Sequence, residues 1–265
     1  MDRPQFLMCP PDYYEVVYEI NPWMHIKHKV DQKKAAKQWT AFYDLLTQKL
    51  KAKVELLQPV KDLPDLVFTA NGGLVYKRLF IRGNFRHKQR QGEEKYFETW
   101  FRKKGYLIKT IPKPLGFEGE GDALLMGKEL FTGYHFRSDV RAHDVVSGHI
   151  KLPYFALKLC DKRFYHLDTC FTPLDEKSAL VYLPAFETYA RLTLLETVPD
   201  LIKVPPDEAL KFACNAVVAG RHVVMPEGCP KTVRELAKRG FTAHELDFSQ
   251  FIKAGGAAKC LALRI

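Results

Sequence analysis

An α/β fold built from five repeated units is the architecture this sequence predicts, and three observations predict it. First, short apolar runs bounded by turn residues alternate along the whole chain with amphipathic stretches of helical period, so strands and helices interleave from end to end. Second, a polar residue recurs at the corresponding strand end of each unit. These are Asn21, Asn71, Asp122, Asp168, Asn215 and Cys260, at gaps of 50, 51, 46, 47 and 45 residues; sustained spacing of this kind marks a repeat architecture. Third, the last apolar run can pair with the first and close five units into a ring. Each unit reads strand, hairpin, strand, helix, strand. The helices would lie outside and the polar strand ends would converge on a central axis, and a convergent polar cluster in a concave site is where chemistry is expected.

The elements follow in order. Gln5–Met8 is a short apolar strand stopped by Pro10-Pro11. After a loop, Asp31 reads as a helix N-cap. Behind it, Ala35, Trp39, Phe42, Leu45, Leu46 and Leu50 follow helical spacing. Val54–Leu57 returns as a strand. Asp65–Asn71 reads as the next strand, with Gly72-Gly73 turning it into Leu74–Tyr76, and Leu79–Ile81 follows. A basic loop spans Arg82 to Arg90. The helix after Gly92 has Glu93 and Glu94 in its first turn and Lys103-Lys104 in its last, which suits the helix dipole, and Gly105 ends it. Tyr106–Ile108 is a strand.

The pattern then repeats. Ala123–Met126 turns at Gly127-Lys128 into Leu130–Thr132, a helix covers Asp139–Val146, and a strand lies near Phe155. Phe164–Cys170 reads as a strand from its aromatic and β-branched residues, and Ala179–Leu183 as its neighbour. A helix spans Glu187–Glu196, and Pro206 opens a short one. Ala213–Val218 turns at Ala219-Gly220-Arg221 into His222–Met225. Lys231–Arg239 is a helix, Phe241–Leu246 a strand, Phe248–Phe251 a helical turn, and the tail is Gly/Ala-rich.

Composition narrows the class. The chain has 265 residues, 46% of them hydrophobic, enough to bury a sizeable core in a single domain over 1–265. Its formal charge is +10, but Lys and Arg are scattered with no arm or tail; that is a solvated basic surface rather than a nucleic-acid footprint. No run approaches the ~18 apolar residues of a membrane span, and the N-terminus lacks a signal-peptide core. A cytoplasmic protein with no membrane partner is expected. The six cysteines, Cys9, Cys160, Cys170, Cys214, Cys229 and Cys260, form no C-x-x-C pair. They should be free thiols, with no metal site and no cofactor.

Phe164–Cys170 holds a base, an acid and a thiol. On a strand, period two would put His166, Asp168 and Cys170 on one face. On that stretch alone, a site and a solvated edge strand fit equally well.

At this point the residues resemble a known family, the guanidine-modifying enzymes: arginine deiminase, dimethylargininase and the amidinotransferases. His166-Leu167-Asp168-Thr169 resembles the deiminases' His-x-Asp-x; dimethylargininases carry Lys in place of Asp, so Asp168 argues against that branch. Glu118-Gly119-Glu120-Gly121-Asp122 is similar to the family's Glu-Gly-Gly-Asp with one residue extra. Either Glu118 or Glu120 takes the glutamate's place, and Glu118 is preferred. Phe131-Thr132-Gly133-Tyr134-His135-Phe136-Arg137-Ser138-Asp139 resembles Phe-x-Gly-x-x-x-Arg-Thr-Asn, and Gly255–Cys260 the glycine-rich stretch before a nucleophilic cysteine. Where deiminases have Phe-Thr-Arg-Asp, this chain has Phe68-Thr69-Ala70-Asn71. Together with Ile20-Asn21-Pro22-Trp23-Met24, that makes it most similar to the arginine dihydrolases, which form the N-terminal part of longer bacterial proteins.

The resemblance implies a five-bladed ββαβ propeller (the pentein fold). It implies a small-molecule substrate, arginine or a related guanidino compound, and products ornithine, ammonia and carbon dioxide. A citrulline-forming deiminase or dimethylargininase-like hydrolase, an amidinotransferase, and more distantly a non-catalytic pentein-fold binding protein remain alternatives. The oligomeric state, including a homo-oligomer, stays open. A guanidinium carbon is a delocalised, cationic, poor electrophile, so a thiolate is needed to attack it; Cys260 is the candidate. Asp168, helped by Asp122, would clamp the guanidinium through charge-assisted hydrogen bonds. His166 would protonate departing ammonia and then activate water. Glu118 would hold His166 in register or take the second proton. Arg137 would grip the substrate carboxylate, with Arg90 a second contact, although residues 88–90 also read as a solvated loop. Asn71 would donate to a neutral ureido oxygen, and Asn21 is either a contact or a loop-structuring residue. Cys9, Cys170 and Cys214 read as core thiols.

Overall fold

The computed structural model describes residues 3–265. In chain order, β1 (Gln5–Met8) is followed by α1 (Gln32–Asp44) and β2 (Lys53–Leu56). Next come β3 (Gly73–Tyr76), β4 (Leu79–Arg82), α2 (Lys88–Gln91), α3 (Glu94–Lys103) and β5 (Leu107–Lys109). The third unit is β6 (Ala123–Met126), β7 (Glu129–Tyr134), α4 (Val140–Ile150) and β8 (Tyr154–Lys158). The fourth is β9 (Phe171–Pro173), β10 (Ser178–Val181), α5 (Thr188–Thr197) and β11 (Asp200–Lys203). After α6 (Pro206–Ala209) come β12 (Val217–Ala219), β13 (His222–Pro226), α7 (Pro230–Lys238) and β14 (Thr242–Leu246), then α8 (Ser249–Ile252) and β15 (Leu263–Arg264).

These strands form five three-stranded sheets of one topology. In each, the middle strand pairs antiparallel with one neighbour and parallel with the other, the parallel step being made through a helix. A parallel pair needs such a crossover, whereas a hairpin needs only a tight turn. The first sheet is assembled from both ends of the chain: β1 pairs parallel with β2 and antiparallel with β15. The C-terminal strand therefore does close on the first. α3 packs on β4 and β5, α4 on β7 and β8, and α7 on β14. Among the described residues no helix is long and apolar enough to cross a membrane.

α1 starts where the sequence placed it: the Asp31 side chain accepts from Lys34 N at 3.0 Å. The strands expected at Asp65–Asn71 and Phe164–Cys170 are absent. The first stretch is two successive 3₁₀ turns, Pro64–Val67 and Thr69–Gly72, the second a loop ending in the 3₁₀ turn Leu167–Thr169, and Gly119–Gly121 is the matching turn of the third unit. Their aromatic and β-branched residues reflect burial, not extended backbone: Phe164 and Leu167 are fully buried. The Gly72-Gly73 hairpin is also corrected, because that sheet turns at Lys77-Arg78, with Lys77 at φ 56°. The two glycines serve close packing: a Cβ on Gly72 would stand 2.4 Å from Phe97, and one on Gly73 2.3 Å from Phe80. The 3₁₀ turns Thr69–Gly72, Gly119–Gly121 and Leu167–Thr169 pack in sequence against one another, and the first of them against β15.

Candidate active site

Cys260 follows α8, on a turn whose backbone N–H groups at Ala257 and Cys260 are accepted by Asn215 Oδ1 at 2.9 and 3.3 Å. Its Sγ lies 3.3 Å from Asp168 Oδ2 and receives Asn215 Nδ2 at 3.2 Å. Cys260, Asp168 and Asn215 are all buried. Burial, and then the facing Asp168, push the Cys260 thiol well above its ordinary range. Burial also pushes the Asp168 carboxyl up to about 7, against the pull of Lys259. The pair holds a neutral thiol beside a carboxyl poised to ionise near neutrality.

A second group forms around Glu118. Its Oε2 accepts His166 Nε2 at 2.8 Å and Arg137 Nη1 at 3.0 Å, and its Oε1 accepts Arg86 N at 3.3 Å. Burial works to raise this carboxyl, but Arg137, His166 and Arg90 outweigh it and hold Glu118 well below the usual range. It is a permanent anion, which fixes His166 Nε2 as a donor in this contact. Glu120 is placed elsewhere, on Lys259 Nζ and on Arg264 N. The extra residue in the Glu-rich stretch is therefore absorbed after Glu118.

A small cavity is lined by Ile20, Asn21, Asp65, Phe68, Asn71, Arg90, Arg137, Tyr165, Ala254, Gly256 and Cys260. Asn71 is the 3₁₀ turn's contribution. Its Oδ1 accepts Arg90 Nη1 at 2.7 Å, which assigns the amide: the free group is Nδ2, a donor, buried and without a protein partner. Gly121 makes room for this arrangement, since a Cβ there would lie 2.5 Å from Asn71 Nδ2 and 3.2 Å from the His166 ring. Other buried polar atoms in this region without a protein partner are Asp65 Oδ1, Asp168 Oδ1, His166 Nδ1 and the Tyr18 hydroxyl. Unpaired buried polar groups are costly unless a ligand meets them.

The remaining expected residues are placed as follows. Arg90, whose loop was read as solvated, is buried in α2; its Nε and Nη2 form a fork on Glu93 and Nη2 also reaches Asp65 O. Arg137 spends its guanidinium on Glu118 and on Ile20 O at 3.0 Å, stacked over Tyr165. Asn21 donates to Ala254 O at 3.0 Å and accepts from Trp23 N at 2.9 Å, so it shapes the loop that roofs the cavity. Asp122 stands behind the cavity: one oxygen accepts Ser138 Oγ at 2.7 Å and the other accepts Leu167 N at 3.1 Å. It braces the turn carrying Asp168 through these two contacts. Cys170 does not join His166 and Asp168; its Sγ lies on the His166 and Leu167 carbonyls, in the core. Asp65 was not anticipated as a site residue, and Asn215 was marked only by its place among the recurrent polar strand ends, with no role. A lone acid inside the apolar run from Pro64 to Phe68 was the signal for the first; its 47- and 45-residue gaps to Asp168 and Cys260 were the signal for the second. Among the described residues no group of three or more His, Cys, Asp or Glu is placed to hold a metal ion.

The chain is similar to known proteins over nearly its whole length. The chain is 45% identical over 268 residues to the bifunctional arginine dihydrolase/ornithine cyclodeaminase of Nostoc sp., a match covering 99% of this chain and 38% of that protein. The corresponding protein of Synechocystis sp. is 43% identical, with the same 38% covered; the chain thus spans well under half the length of these relatives. It is 37% identical to N(G),N(G)-dimethylarginine dimethylaminohydrolase of Mycobacterium tuberculosis, covering 98% of this chain and 85% of that one. Among solved structures, the cyanobacterial arginine dihydrolase N-terminal domain, as a cysteine-to-serine variant bound to substrate, superposes with a TM-score of 0.95 at 42% identity, covering 98% of this chain and 97% of that one. A family model described as N,N dimethylarginine dimethylhydrolase, eukaryotic, matches residues 18–265. The relatives of highest identity given above are arginine dihydrolases, in keeping with Asp168, and with nearly its whole length matched by the family model, this chain belongs to the N,N-dimethylarginine dimethylhydrolase family.

Proposed function

We propose that this protein hydrolyses the guanidinium of L-arginine through a covalent Cys260–amidino intermediate, giving ornithine, two ammonia and carbon dioxide. The observation that carries the reading is the cavity in which Cys260, Asp65 and the free Asn71 amide meet, beside Asp168 and the His166–Glu118 pair. The five sheets are taken as blades of a pseudo-symmetric propeller, a single domain over 1–265, supported by their shared topology and by the pairing of β1 with β15.

The guanidinium enters against Asp168 and Asp65, whose free oxygens accept its N–H groups. A bound cation beside the sulfur favours the thiolate. Sγ attacks the guanidinium carbon, His166 gives its proton to the departing nitrogen, and ammonia leaves. Neutral His166 then takes a proton from water, which attacks the amidino carbon and releases citrulline and the sulfur. Glu118, an anion throughout, stabilises the protonated imidazole before the first of these transfers and again after the second. Positioned proton transfer of this kind is worth ~10²–10⁴ in rate. A second round on retained citrulline needs a donor to a neutral ureido oxygen. Arg90 turns the Asn71 amide so that Nδ2 faces that need; a carboxylate there would repel the oxygen. In this reading the protein works in a reducing cytoplasmic setting, where its six cysteines stay free.

The test is product analysis with L-arginine, wild type beside Cys260→Ser. Ornithine with about two ammonia per arginine, lost in the variant, is the expected result. Citrulline with one ammonia makes it a deiminase. Turnover of methylated arginine alone follows its Mycobacterium tuberculosis relative instead.

A further inference from the structure

Asn215 stands at a recurrent strand end, yet none of the chemistry above uses it. It is fully buried and its side chain is committed at both ends. Nδ2 donates to Cys260 Sγ at 3.2 Å and to Asp168 O at 3.0 Å. Oδ1 accepts from Ala257 N at 2.9 Å and from Cys260 N at 3.3 Å. One amide thus ties together the turn that carries the sulfur, the sulfur itself, and the backbone of the facing acid. A residue needed only to fix the turn would use the oxygen; the nitrogen contact to Sγ is separate.

The sulfur's surroundings give that contact a purpose. The titratable and charged groups around it are Asp168, Tyr165 and Asp65 on the acidic side, with Arg90, Arg137 and the His166–Glu118 pair across the cavity and Lys259 next in the chain. Asp168 is in direct contact and opposes negative charge on sulfur. Among the described residues, the one side-chain N–H on Sγ is that of Asn215. A hydrogen bond to a charged acceptor in a buried site is stronger than one to its neutral form.

We propose that Asn215 is a catalytic residue of this site: its Nδ2–H stabilises the Cys260 sulfur as thiolate while its Oδ1 fixes the turn that aims the sulfur at the cavity. The assignment rests on Cys260 being the nucleophile.

The experiment reads Cys260 directly. Carboxamidomethylation by iodoacetamide is followed against pH on the Cys260 peptide by mass spectrometry, in wild type, Asn215→Ala and Asn215→Asp. Circular dichroism confirms the fold, and Asn215→Ser replaces the alanine variant if that one does not fold. Asn215→Asp keeps the oxygen that holds the turn and replaces the donor group facing the sulfur with a second, negatively charged acceptor. The alkylation midpoint is expected to rise by about one unit in the neutral variant, a tenfold loss of thiolate at fixed pH, and further in Asn215→Asp. kcat for L-arginine should fall about tenfold near neutrality and recover as pH is raised, with KM little changed. An unchanged midpoint in the neutral variant, or a kcat loss that high pH does not restore, overturns the assignment. Failure of the nucleophile reading is seen separately, as arginine turnover surviving in Cys260→Ser while the midpoints stand.

Discussion

The working contacts of this site are pairs in which one partner fixes the state of the other. Glu118 fixes His166, Arg90 fixes the face of Asn71, and Asp168 and Asn215 oppose each other at the sulfur. Asn71→Asp replaces the free donor with an acceptor while Arg90 still holds the other oxygen. The product ratio from arginine should shift toward citrulline; an unchanged ratio sinks that role for Asn71. Asp168 carries a pH signature. Its carboxyl is raised by burial from 3.8 to about 7, so the folded chain holds a proton there that the unfolded chain releases. Stability from this group is full below about 3.8 and declines as pH rises toward about 7; Asp168→Asn should lack that decline in denaturant titrations. Arginine binding has the opposite slope, since the clamp needs the ionised form. In Cys260→Ser, affinity measured by calorimetry should improve up to tenfold per unit toward pH 7 and then level off, and Asp168→Asn should flatten the curve.

The elements that matter most to the site are the 3₁₀ turns, and these are what the sequence reading mistook for strands. Asp65–Asn71 and Phe164–Cys170 have strand composition because they are buried on all sides, and periodicity cannot separate a buried strand from a buried turn over so few residues. The amphipathic helices, the tight hairpins at Gly127-Lys128 and Gly220-Arg221, and the Asp31 cap were legible because each rests on local chemistry. Gly121→Ala tests the turns as a unit. Its Cβ would meet Asn71 and His166 at once, so kcat/KM for arginine should drop at least tenfold while thermal stability falls by the ~1–3 kcal/mol of an overpacked site. Activity equal to wild type would show that the turns can part without consequence.

At the scale of the whole molecule, the two chain ends are joined at the site. Thr69 Oγ1 shares its single hydrogen between Leu7 O at 2.8 Å and Leu261 O at 3.1 Å, and accepts Leu263 N at 3.2 Å. One hydroxyl thus links β1, the segment following Cys260, β15 and the turn carrying Asn71. Thr69→Val keeps the shape and leaves buried carbonyls and an N–H unpaired, at ~1–3 kcal/mol. Its unfolding midpoint in urea should fall by that amount, and Cys260 should alkylate faster; loss of stability with an unchanged alkylation rate would separate closure from the site.

The sequence by itself determined the five units, the closure of the last strand on the first, and the residue types a guanidinium reaction requires. Residues at a fixed offset in a repeat must land at equivalent places, and the motifs Glu118 to Asp122, His166 to Thr169 and Gly255 to Cys260 lie at those offsets. Only the tertiary structure decided that Glu118 and not Glu120 meets His166, that Asp122 accepts from Ser138 and Leu167, that Arg90 is buried against Asn71, that Asp65 lines the cavity, and that Asn215 contacts the sulfur. Each of these depends on contacts between residues far apart in the chain, where which atom of a side chain is already bonded settles what it has left to offer.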